Sequence, residues 1–202
     1  MSPSAREPLI LLALTGLALV ISGVDPYERG TWLLEVLPVL IGVAILVPTW
    51  KRFPLTPLVC RLLFVHALIL ILGGHYTYAR VPPGFWMQDF FELSRNHYDR
   101  LGHLAQGFVP ALLAREILLR LTPLEPGRWL FLLVVCVCLA FSAFYELIEW
   151  WAALMGGESA EAFLGTQGDV WDTQWDMFLA LVGALSAQLL LAPAHDRALA
   201  RL

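Results

Sequence analysis

Charge is scarce in this chain. Charged residues make up 15% of its 202 residues, where a soluble domain carries roughly 25%. Cysteine is scarce as well: Cys60, Cys136 and Cys138, all in apolar stretches. Cys136 and Cys138 stand two apart on an expected helix, point to different faces and cannot easily bridge. They read as small buried apolar residues, with no disulfide framework and no zinc motif. No basic run tracks a phosphate backbone, and the net charge is only -4, so nucleic acid is excluded as a partner. Ser142, Ser159 and Ser186 stand in no nucleophile motif, which leaves acyl-transfer chemistry without support. There is no internal repeat, low-complexity tract or linker. The stretch "DPYERG" after Val24 lacks an A-x-A-like cleavage pattern, so the first apolar segment reads as a retained membrane helix.

What is present is apolar and comes in long blocks. Hydrophobic residues make up 58%, and the mean hydropathy is +0.68. A membrane span needs about 20 mostly apolar residues. Six spans are expected, at about 8–24, 31–49, 56–75, 100–121, 128–154 and 172–193. The fold class that follows is all-α, a polytopic membrane bundle in which residues 1–202 form one integral-membrane domain. Arg115 and Glu116 lie near one end of the fourth span, where long side chains can snorkel. Between the third and fourth spans, Pro82, Pro83 and Gly84 break any helix. Phe85 to Tyr98 then mixes aromatic and charged residues in a way that suits an amphipathic helix in the membrane interface; an ordinary polar-aromatic loop is the alternative. Trp150, Trp151, Trp171 and Trp175 suit an interfacial aromatic belt. Gly165, Thr166 and Gly168 suit a loop that folds back closely ahead of Asp169.

Six spans put both termini on one side. That side holds Arg6, Lys51, Arg52, Arg120, Arg128, Arg197 and Arg201, while the other holds Arg29, Arg80, Arg95 and Arg100. The positive-inside rule then places both termini in the cytoplasm. On this topology four helix ends deliver acids and histidines to one layer: His75 from the third span, Asp99 and His103 from the fourth, Glu146 and Glu149 from the fifth, and Asp169, Asp172 and Asp176 from the sixth. Asp99 and His103 are i, i+4, Glu146 and Glu149 are i, i+3, and Asp172 and Asp176 are i, i+4, so each pair shares a helix face. A charge facing lipid near the bilayer centre costs about 3 kcal/mol, which turns these residues toward the bundle interior.

Carboxylates brought this close need protons or cations between them. Arg95 and Arg100 supply a purely structural answer. Protons moving among the acids supply a second, as in a transporter. A divalent metal supplies a third: magnesium, manganese, iron or zinc suits oxygen and imidazole ligands without thiolate. In that reading Asp99, His103, Glu146, Asp172 and Asp176 are the ligands, and Glu149, Asp169 or His75 serves as base or outer partner. The activity it suits is chemistry on an envelope lipid or lipid-linked phosphate, with membrane lipids as partners. Glu35 either joins the cluster or caps a helix, and His66 reads as a buried, hydrogen-bonded histidine.

The stretches "GGHYTYARVP", "NHYDRLGHLAQGFVPALLAREILLR", "YELIEWWAAL" and "FLGTQGDVWDTQWDM" resemble the YjdF-type family of bacterial inner-membrane proteins over nearly the whole chain beyond the first span. That resemblance implies multi-pass topology in the inner membrane and no particular activity. A looser similarity is to the VanZ-like membrane proteins. Asp99, Arg100 and His103 match their Asp-basic-x-x-His helix start, Glu146 the acid of the next helix, and Asp172 the opening of the last, whereas Asp176 stands where Asn is usual. The similarity implies a cell-envelope role by analogy, and the extra carboxylate implies more room for a cation.

Overall fold

The computed structural model describes residues 3–156 and 166–202. Seven α-helices are present among them: α1 (Pro3–Ser22), α2 (Arg29–Thr49), α3 (Pro57–Tyr76), α4 (Pro82–Phe91), α5 (Tyr98–Leu121), α6 (Arg128–Gly156) and α7 (Asp172–Leu199). A single 3-10 turn, Tyr78–Arg80, follows α3, and no strand occurs among the described residues. Helices α2, α3, α6 and α7 are long and apolar enough to cross a membrane on length and composition alone. The expected all-α membrane bundle is the fold observed; of the six expected spans, four are matched by helices that meet this length and composition among the described residues. Ser159 and Gly165 lie outside the described residues.

Local chemistry sets the helix ends. Glu28 caps α2, its carboxylate accepting from the amides of Gly30 (3.0 Å) and Thr31. These donors, Thr31 foremost, hold the Glu28 carboxyl below the usual carboxylate range. Thr56 caps α3, with Pro57 in the first turn where its missing N–H costs nothing. Pro82 and Pro83 start α4, and Glu92 stops it in the left-handed region at φ 52°. The amphipathic segment therefore ends at Phe91 rather than running on to Tyr98. Its apolar side is bare: Trp86 is 69% and Phe90 79% exposed, as befits a helix lying in the interface.

Helix α5 is the centre of the bundle. It packs on α3, α6 and, most extensively, α7. The core it shares with them holds Ala111 and Leu112 against Val59, Leu130, Val134 and Ala184. Small residues let α5 and α7 meet backbone to backbone. A β-carbon on Gly107 would lie 1.9 Å from the Ala180 carbonyl oxygen, and one on Gly183 would lie 2.2 Å from the Leu104 carbonyl oxygen. Such small-residue crossings are how membrane helices gain close packing without a hydrophobic drive. Nearby, the Tyr78 ring wedges between α3 and α5 where Gly73 and Gly102 leave room.

The other end of α5 holds a second polar centre, and there the snorkelling reading of Arg115 and Glu116 fails: both are buried. The Glu116 carboxylate accepts from the Thr56 amide (3.0 Å), the Thr56 hydroxyl (2.7 Å) and Arg120 (2.8 Å). His195 of α7 completes the set through Nε2, 3.1 Å from Glu116 Oε2, while its Nδ1 lies 3.1 Å from Arg115 Nη1. Arg115 can only donate, so Nδ1 accepts and Nε2 carries the proton. This network joins α3, α5 and α7, and none of its buried side-chain atoms stands without a partner among the described residues.

Candidate carboxylate–histidine centre

The α5–α7 crossing carries chemistry one turn further on. His103 stands four residues before Gly107, and Asp176 stands four before Ala180 and seven before Gly183. The contact that brings these small residues together therefore brings His103 and Asp176 together, with Asp99 one turn away on the His103 face. One ligand-capable atom from each of Asp99, His103 and Asp176 lies within 4.8 Å of the others, and all three residues are buried.

His103 Nε2 is 3.5 Å from Asp99 Oδ1 and 3.9 Å from Asp176 Oδ2. Both are longer than an ordinary hydrogen bond. Ligands held about 2.0–2.2 Å from one ion sit roughly 3 to 4 Å apart, a range that includes both of these distances. The other imidazole nitrogen, Nδ1, faces Glu146 Oε1 at 3.8 Å. His103 Nδ1, Glu146 Oε1 and Asp176 Oδ1 are buried with no hydrogen-bond partner among the described residues. Leaving such groups unsatisfied and uncompensated costs several kcal/mol per ion, so the pocket calls for a cation or protons.

The row of acids along α7 divides in two. Asp176 belongs to the centre just described. Asp172 and Asp169 belong to an arginine clamp instead. Arg95 Nη1 donates to Asp172 Oδ1 at 2.5 Å and to the Thr166 carbonyl at 3.0 Å. Arg100 Nη2 donates to Asp169 Oδ2 at 2.7 Å, and the other Asp169 oxygen accepts from the Trp171 amide at 2.9 Å. Gln167 and Asn96 lock the same loop by a reciprocal pair, 3.1 Å and 2.8 Å. Gln167 and Gly168 reach this position through positive φ values of 47° and 84°, the close fold-back expected of the segment. Beside the clamp, burial and then the charges of Arg100 and Arg95 hold the His97 imidazole below its ordinary value.

The remaining expected residues fall elsewhere. His75 Nδ1–H donates to the Ser22 carbonyl at 2.9 Å, tying α3 to the end of α1; its polar contact runs away from the centre. Glu149 and Glu35 are buried on the wall of a cavity that also touches Asp99 and His103. Glu35 accepts from the Tyr145 hydroxyl at 3.3 Å and caps nothing, since Glu28 does that. His66 lines the same cavity with Nε2 buried and unpartnered among the described residues, unlike the hydrogen-bonded histidine expected. The Gly107–Ala180–Gly183 contact is not among the sequence expectations; its signal in the sequence is small residues one and two turns beyond His103 and Asp176.

Fold and site together define a polytopic all-helical membrane protein with a buried carboxylate–histidine centre. The chain belongs to the family described as "Predicted membrane protein (DUF2238)", whose profile matches residues 7–197. It is 55% identical over 199 residues to "Inner membrane protein YjdF" of Escherichia coli, a match covering 96% of this chain and 95% of that protein. No solved structure matches. The chain is thus a multi-pass protein of the bacterial inner membrane, in accord with the resemblance read from its motifs.

Proposed function

We propose that Asp99, His103 and Asp176 bind one divalent cation, and that this centre acts on the polar head of an envelope lipid or lipid-linked phosphate. The observation that carries the reading is the buried triad spaced for a shared ion, with an unpartnered oxygen on Asp176. When bound, the cation would polarise a phosphoryl oxygen or lower the pKa of a water molecule. Glu146 stands behind His103 Nδ1, where second-shell carboxylates orient metal-binding imidazoles. Glu149, on the cavity wall, is the carboxylate left to take or give a proton. Asp172, Asp169 and His75 serve the scaffold, each through the contact described above. The lysine and arginine counts support cytoplasmic termini and hence a centre on the extracytoplasmic side, which a C-terminal topology reporter tests.

Elemental analysis of protein purified under metal-replete conditions tests the centre. The expected result is about one divalent ion per chain, lost in Asp176→Asn and His103→Ala variants that keep their helicity and unfolding temperature. Metal-free wild-type protein, or full occupancy in both variants, overturns the reading.

A further inference from the structure

The cavity that meets the centre is long and two-faced. Its volume is about 870 Å³. It follows α5 from Asp99 to Leu118, 19 residues or about 28 Å of helix, nearly the thickness of a hydrocarbon core. Its ionisable carboxylates and imidazoles, Glu35, His66, Asp99, His103 and Glu149, lie toward one end with Gln106, Tyr78 and Tyr145, and Thr15 and Cys60 are its other polar lining residues. Past Gln106 the walls are Val43, Leu46, Trp50, Leu63, Leu113 and Leu118, among other apolar residues. Among the described residues no carboxylate, imidazole, arginine or lysine lines that half, so it offers protons or ions no relay. A hydrocarbon chain finds there the surroundings it has in the bilayer.

The packing leaves a way in. α2 packs on α3, and α6 packs on α5 and α7. Leu37 and Ile41 of α2 nevertheless share the cavity with Phe141 and Phe144 of α6. The Tyr145–Glu35 hydrogen bond spans the gap at the polar end. Midway along α2, a β-carbon on Gly42 would meet no atom within 4 Å, although Gly42 lines the cavity.

We propose that this cleft takes up a single hydrocarbon chain of a membrane amphiphile, entering sideways between α2 and α6 and laying its polar head at the Asp99–His103 end. The proposal rests on the function above for the role of the head, and on the cleft alone for the chain. It makes the substrate a long single-chain amphiphile rather than a soluble phosphate, and it makes Gly42 a determinant of chain fit.

A hexadecyl phosphate carrying a diazirine near its chain terminus is the probe. Photolysis with the purified protein, followed by peptide mass spectrometry, should place label on the Val43–Trp50 and Leu113–Leu118 walls. Gly42→Trp should lower that labelling at least tenfold, and Gly42→Leu should lower it less. Leu40→Trp, on the exposed side of the same helix, should leave it unchanged. Label confined to outer-face residues such as Leu189 and Leu190, or cleft labelling indifferent to Gly42→Trp in a protein that retains its unfolding temperature, overturns the proposal. Chelator-stripped protein should label its cleft as well as untreated protein does, and Gly42→Trp should keep its bound metal. Failure of the metal centre and failure of the chain cleft therefore give different results. A free-phosphate arm separates head recognition from chain recognition: excess inorganic phosphate should not displace the probe, and displacement would show that the head alone governs binding.

Discussion

A β-carbon on Gly107 would sit 1.9 Å from the carbonyl oxygen of Ala180. Both helices are thereby pressed to backbone distance at the turn next to His103 and Asp176. Side-chain geometry at the centre is set by a contact that contains no functional group.

Enlarging that contact should open the centre. Gly183→Leu must push α7 away from Leu104 and Phe108; overpacking of this kind costs about 1–3 kcal/mol or more. The unfolding temperature in detergent should fall, and metal content should fall with it. Gly16→Leu, where a β-carbon meets nothing within 4 Å, should change neither.

The arginine clamp should behave as a buried ion pair. Arg95→Met leaves the Asp172 carboxylate without its 2.5 Å partner in a buried site, a loss of about 3–5 kcal/mol by precedent for such pairs. Pairing it with Asp172→Asn should recover much of the loss in a double-mutant cycle. Additive losses would show that Arg95 acts through other contacts.

The Glu116 network should matter for stability and leave the centre alone. Glu116→Leu strands the Thr56 amide and the His195 Nε2–H at once, while Arg120 keeps the Pro54 carbonyl; each lost hydrogen bond to a charged group is worth about 1.5–3 kcal/mol. Asp99 and Glu116 are 17 residues apart on α5, about 26 Å. Metal content per folded chain should therefore stay at the wild-type level while the unfolding temperature drops.

Acid should weaken the start of α2. The folded carboxyl of Glu28 is held below its ordinary value by the Thr31 and Gly30 amides. Its contribution is therefore fully present above the ordinary carboxylate range and is lost as pH falls through the lower folded value. Solvent around this side chain keeps the contribution small. Unfolding temperatures taken from pH 7 to pH 3 should decline less steeply in Glu28→Gln than in the wild type; an unchanged slope removes Glu28 from the acid response.

Much of the molecule was legible in the residues themselves. Long apolar blocks exclude a soluble fold, because a span must satisfy its own backbone and bury little polarity. Pro82, Pro83 and Gly84 read as a helix break, yet Pro82 opens α4 and Gly84 lies inside it, because a first-turn proline loses no helical hydrogen bond. The i, i+4 spacing of Asp99 and His103 puts them on one face whatever surrounds them. Partner choice was not legible in the same way. Asp169, Asp172 and Asp176 look alike in sequence, and so do Glu116 and any snorkelling acid near a helix end.

Those distinctions belong to the tertiary structure. Arg95 and Arg100 reach Asp172 and Asp169 because Asn96 and Gln167 pin two distant loops together. Asp176, one turn deeper, lies beyond the arginines and against His103. Glu116 is buried because His195, 79 residues away, folds onto it. Sequence alone determined the membrane class, the helices and which acids share a face, since periodicity and hydropathy are properties of neighbouring residues. Only the packing of α5 on α7 decided which acids are neutralised by arginine and which remain open to a cation, since charge pairing depends on distances between residues far apart in the chain.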